Sequence, residues 1–235
     1  MIRDKASEVI NETLAICKEI LLRICAKRKQ NESLRLKVYS DLLMRIHNNV
    51  YAIFTININD KTSTAINLIY RSIAIDLYWL LYFTQINDDK VKDVCDALNA
   101  THAKFICTHA EYMFKLFSEL GKTEETDSKL LLLDRLYDKF KDCLTSNKGE
   151  PWAVKKTWVS VKNEDVHSFF KDSQNDNHYL LYIMYRYLSQ TEHYAPISVS
   201  FAFPDKDIQD KLYLIFNAII HEEFKLLSEI LNNEL

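Results

Sequence analysis

The chain has 235 residues, 48% of them hydrophobic and 12% aromatic, and its 30 Lys+Arg against 33 Asp+Glu give a formal net charge of −3. It holds only two glycines, Gly121 and Gly149, where average usage would supply about 16. Glycine provides the φ > 0 positions of hairpin turns and phosphate-cradling loops, so this shortage argues against a Rossmann fingerprint, a P-loop, a nucleophile elbow and a β-rich sandwich.

Helical periodicity runs through almost everything that remains. Val9, Leu14, Ile16, Ile20, Leu21 and Ile24 recur at three- and four-residue spacings, which predicts an amphipathic helix over residues 5–29. Asn31-Glu32-Ser33 breaks it, and Ser33 caps a second helix reaching about Ile58. Asn59-Asp60 closes that helix, and Thr62 or Ser63 caps a third to about Ile86. Asn87-Asp88-Asp89 opens a fourth, which reaches Leu120 and stops at Gly121, a natural C′ residue. A polar linker follows, and Ser128 caps a fifth helix to about Leu144. Thr145 to Lys162, with Gly149, Pro151, Trp152 and Trp158, reads as the one long irregular stretch, either a packed cover or a functional loop. A short helix is expected at 163–171, and two more from about Asp176 to Glu192 and from about Asp205 to Asn233. These elements predict one all-α domain over residues 1–235, a bundle of seven or eight helices around one large core, with internal linkers near 121–128 and 145–162.

Targeting signals are not expected. Met1-Ile2-Arg3-Asp4-Lys5 leads into mixed charge instead of an apolar h-region. The longest nearly apolar run, Ile73 to Phe83, carries Asp76 and is too short to span a bilayer. Five cysteines, odd in number and without a C-x-x-C pair, read as reduced thiols. A cytoplasmic location with no membrane partner follows as the expectation. Residues 1–57 carry ten basic and six acidic side chains, and the excess centres on Lys27-Arg28-Lys29, with Arg23, Arg35 and Lys37 nearby. That cluster reads either as a nucleic-acid surface or as a solvated turn between two helices.

Two helices are apolar nearly all round, and their isolated polar residues carry the functional expectations. In the third helix Arg71 and Asp76 are the only charges over residues 66–80, and five residues apart they point about 140° away from each other. A helix of this kind is central, and each charge needs a partner on another helix, a path to solvent, or a shifted pKa. In the helix from Asp176, Tyr182, Arg186, Ser189 and His193 stand at i, i+4, i+7 and i+11, within about 60° of one another. Such a polar stripe costs stability unless it is satisfied or used, and Arg186 and Asp76 have the signs of partners.

Arg186-x6-His193 resembles the R-x4–6-H pattern of HEPN (higher eukaryote and prokaryote nucleotide-binding) domains. More broadly, Tyr70-Arg71-x4-Asp76, Trp158-x-Ser160 and Tyr185-Arg186-x-Leu188-Ser189-x3-His193 are similar to uncharacterised all-helical bacterial proteins, over residues 60–85 and 158–195. The resemblance implies a metal-independent endoribonuclease, or a nucleotide or RNA binder, of bacterial defence or toxin systems, and no cofactor. Arg186 would hold phosphate charge and His193 would be the acid/base, with Arg71, Asp76, Tyr182 and Ser189 binding substrate or supporting the pair. The same resemblance implies RNA or nucleotide as partner and a homodimer in which two copies build one cleft. The residue types suit these roles, because histidine titrates near neutrality and guanidinium forks match phosphate. The alternative is a non-catalytic helical interaction module whose Arg/Asp/Ser/His network only fixes helix packing.

Other constellations are weaker. His102 and His109 lie seven apart with Cys107 and Glu111 close by, unlike the i, i+4 histidines of helical zinc sites, so no metal is expected. Glu164-x-x-His167 has no second copy to complete a di-iron bundle. His221-Glu222-Glu223 reads as a surface turn of the last helix. The tyrosines at 179, 182, 185 and 187 read as core packing or as a pocket that stacks bases.

Overall fold

The computed structural model describes residues 2–59, 63–121, 134–135, 138–145, 153–154, 161–172, 176–189 and 206–234. The fold is all-α. Seven helices are described from end to end: α1 (Ile2–Gln30), α2 (Leu34–Asn59), α3 (Ser63–Gln85), α4 (Asp88–Glu119), α5 (Asn163–Asp172), α6 (Asp176–Ser189) and α7 (Lys206–Glu234). Helix ends fall where local chemistry places them. Ser33 Oγ accepts the Leu36 N–H at 3.1 Å, capping α2 as its sequence position predicts. Gly121 follows α4 at φ 72°, the left-handed conformation a C′ glycine takes without steric cost.

By its packing the chain divides into two compact units, Met1–Asp88 with Asn163–Leu235, and Asp89–Lys162. In the first, α1 packs against α2 and α7, while α3 packs against α2, α5, α6 and α7. The central place expected of the third helix is therefore real. Every residue from Leu77 to Thr84 is buried, because a helix surrounded by neighbours has no solvent face to leave polar. Arg35 ties the end of α3 down: its two Nη groups donate to the carbonyls of Phe83 and Ile86 at 2.6 and 2.5 Å, and its Nε meets Asp88. Those carbonyls have no partner within a helix, so a cation from α2 satisfies both the hydrogen bonds and the negative dipole end.

In the second unit, Ala103 and Cys107 of α4 form a small buried core with Leu144, flanked by Phe140 and Cys143. Of the expected fifth helix, residues 134–135 and 138–140 are helical, and 128–133 and 136–137 lie outside the described residues. Its expected end is corrected. Leu144 begins a two-residue strand, β1 (Leu144–Thr145), which pairs antiparallel with β2 (Ala153–Val154), Leu144 opposite Val154. The pairing satisfies backbone groups that an irregular stretch would leave open, and Val and Thr tolerate extended backbone well. Among the described residues no helix is long and apolar enough to cross a membrane.

Candidate functional site

The helices bearing the expected site, α3 and α6, pack directly on each other. They do not join Asp76 to Arg186. The Asp76 carboxylate, buried on α3, accepts from Arg45 Nη2 of α2 at 2.9 Å. One turn earlier, Ser72 accepts from Asn49 of α2 at 3.1 Å. Ser72 and Asp76 share the α2-facing side of α3, as residues four apart must. Arg71 points roughly 140° away from Asp76, onto α6, so one neighbour cannot serve both charges. Burial pushes the Asp76 carboxyl up to about 6, against the opposing pull of the Arg45 charge and a Ser72 hydrogen bond. Its Oδ2 has no hydrogen-bond partner among the described residues.

Arg71 and Ser189 are brought together. Arg71 Nε donates to Ser189 Oγ at 3.1 Å, and its guanidinium lies 5.3 Å from the centroid of the Tyr185 ring. The Ser189 hydroxyl donates back to the Tyr185 carbonyl at 2.7 Å, which orients its lone pairs toward Arg71. The network continues through Asn163 at the start of α5, which donates to the Tyr185 hydroxyl at 3.0 Å and accepts from the Trp79 indole at 2.9 Å. Three helices are thus cross-linked by one polar chain.

Tyr182 has a different partner. Its ring stacks on the His167 imidazole of α5 at 4.0 Å and 5°, with the exposed Tyr179 on the same imidazole at 5.5 Å. Tyr78 OH lies 3.4 Å from His167 Nδ1. Desolvation against these rings lowers the His167 pKa, helped by the Lys171 charge and opposed by Glu164. Arg186, on the same flank of α6 as Tyr179 and Tyr182, is exposed to solvent. His193 lies outside the described residues.

Two buried polar clusters escaped the sequence reading. His178 Nδ1 and Glu223 Oε2 form a pair at 2.8 Å between α6 and α7, with both side chains buried. In the second, Thr13 Oγ1 meets His221 Nδ1 at 3.1 Å, and His221 Nε2 reaches Glu12 at 3.4 Å. The surface-turn expectation for His221-Glu222-Glu223 is therefore corrected: His221 and Glu223 are buried, and only Glu222 is exposed. The available signal was phase. Glu223 falls on the apolar line of Phe216, Ile220, Leu227 and Leu231, and His178 on that of Leu181 and Leu188.

The hydroxyl–imidazole–carboxylate order of Thr13, His221 and Glu12 resembles a nucleophile with its base and orienter, but the hydroxyl end is the buried end. The cavity beside Thr13, also bordered by Tyr70 and Asn217, measures about 10 Å3, the space of a single water. No substrate fits there. His178–Glu223 likewise lies in packed interior, so both clusters act on packing.

At least three of the six cations near the α1–α2 turn are engaged within the molecule. Arg23 meets Glu19 and Asn232, Arg28 donates to Ser40 at 3.0 Å, and Arg35 caps α3. His102 and His109 are exposed whereas Cys107 is buried on the other side of α4, so the two histidines do not converge with that thiol. Among the described residues no group of three or more His, Cys, Asp or Glu is placed to hold a metal ion.

Comparison of the chain with protein-family models, with curated proteins and with solved structures gives no significant match.

Proposed function

We propose that the flank of α6 carrying Tyr179, Tyr182 and Arg186 is an RNA- or nucleotide-binding face, and that with His193 it forms a metal-independent endoribonuclease site. The observation that carries the reading is the exposure of Arg186. Asp76, the carboxylate of opposite sign, pairs with Arg45, so the Arg186 guanidinium is not neutralised by it. Arg71, braced on Ser189 and Tyr185, adds a second guanidinium to the same end of α6. Side chains supply the cation in this reading, and a chain with two glycines has little material for a glycine-rich phosphate loop.

In the proposed reaction the RNA 2′-oxygen bonds to phosphorus and the P–O5′ bond breaks, giving a 2′,3′-cyclic phosphate and a 5′-hydroxyl. His193 moves the proton from the attacking to the leaving oxygen in two steps, and Arg186 stabilises charge on the non-bridging oxygens. A homodimer, implied by the HEPN resemblance, would set two such faces across one cleft.

A single-stranded RNA cleavage assay in EDTA tests the reading. Arg186→Ala and His193→Ala are each expected to reduce cleavage about 100-fold or more. Arg186→Ala should also leave stability within about 0.5 kcal/mol, as exposed substitutions do. Wild-type protein that neither binds nor cleaves RNA overturns it. A second reading, a non-catalytic interaction module, draws on the exposed Leu180 and Ile183 of α6 and Ile208 and Ile215 of α7, helices that pack together.

A further inference from the structure

The second compact unit carries an apolar surface that the proposed site does not use. Along α4, Phe105, Tyr112, Met113, Leu116 and Leu120 are 37 to 64% exposed. With 100° per residue they fall within a sector of about 100°, a single stripe of roughly four turns and 22 Å. His109 lies in the same sector, its ring 3.8 Å from that of Phe105. The face is distinct from the one used inside the unit, because Ala103 and Cys107, which meet Leu144, point the other way. Scattered exposed apolar residues need no explanation, but a contiguous run of this size marks a contact surface.

The charges beside the stripe identify the occupant. One flank carries Lys104, Glu111, Lys115 and Glu119, alternating in sign along the helix. Read in reverse the pattern is complementary to itself. An antiparallel second α4 centred between Tyr112 and Met113 brings Lys104 within two residues of facing Glu119 and Glu111 within one residue of facing Lys115, each twice by symmetry. The same register sets Phe105 against Leu120, His109 against Leu116 and Tyr112 against Met113. A parallel pair in register would oppose like charges instead. We infer that α4 is a self-association surface, and that two copies of this chain pair through it antiparallel about a two-fold axis between Tyr112 and Met113. The inference does not rest on the ribonuclease reading.

Two four-turn helices bury less than the roughly 800 Å2 per partner of a standard interface, the size class of weak and transient contacts, so the micromolar range is the one to search. Sedimentation velocity of the full chain from about 1 to 100 μM spans that range. The expected result is a concentration-dependent dimer that Tyr112→Glu converts to monomer, with unchanged helical circular dichroism. Lys104→Glu should weaken it about fivefold to tenfold, and adding Glu119→Lys should restore it, since both side chains are exposed and the pair recurs twice. A monomer at every concentration overturns the inference. So does a dimer indifferent to Tyr112→Glu, one broken instead by Ile183→Glu on α6, or a double charge reversal that fails to restore what the single one lost.

Discussion

Asp76→Asn tests the energetics of the α2–α3 contact directly. The carboxyl sits at about 6 in the folded protein because burial outweighs the help of Arg45 and Ser72, whereas an unfolded aspartate titrates near 3.9. Between these values the folded chain binds more protons than the unfolded one, so stability falls as pH rises from about 4 through 6 and is level above. Integrating that difference gives a cost of roughly 3 kcal/mol for the ionised carboxylate at pH 7 and about half of it at pH 5. Asparagine keeps an acceptor for Arg45 but places an amide where Oδ2 has no partner among the described residues, which returns about 1 kcal/mol. The net expectation is a variant more stable by about 1–2 kcal/mol at pH 7 and no more stable than wild type at pH 4. Urea unfolding followed by circular dichroism at pH 4, 5, 6 and 7 measures it. A variant less stable than wild type at pH 7, with the deficit shrinking toward pH 4, would show that Arg45 holds Asp76 ionised at a profit and would refute the reasoning.

Glu223→Leu leaves the His178 side chain buried without its partner and should cost about 3–5 kcal/mol in urea, whereas Glu223→Leu with His178→Phe should recover most of it. Equal losses from the single and double variants would show that the pair contributes nothing specific. Burial pushes the Cys17 thiol up to about 12, so iodoacetamide at pH 8 should label Cys17 only after unfolding, read by peptide mass; labelling of folded protein at the rate of a free thiol would contradict that environment.

The helical class, the cap at Ser33, the stop at Gly121 and the central role of α3 were legible because each depends on neighbours in sequence: apolar phase, capping oxygens, a glycine able to take φ 72°. The tight cluster of Tyr182, Arg186 and Ser189 on one flank of α6 was legible for the same reason. Its internal economy was not. Ser189 turns to Arg71, Tyr182 stacks on His167, and Arg186 faces water. Glu223 looks like a surface residue beside His221 and Glu222, although its phase along α7 is that of the core.

From the sequence alone follow the all-α class, the order of helices and the helix that the others surround, since repeating apolar spacing and scarce glycine act through local backbone geometry. Which charges meet belongs to tertiary structure. Asp76 pairs with Arg45 and not Arg186 because α2 and α6 lie on different sides of α3. That placement is set by packing between segments distant in the chain, and no spacing within one helix encodes it.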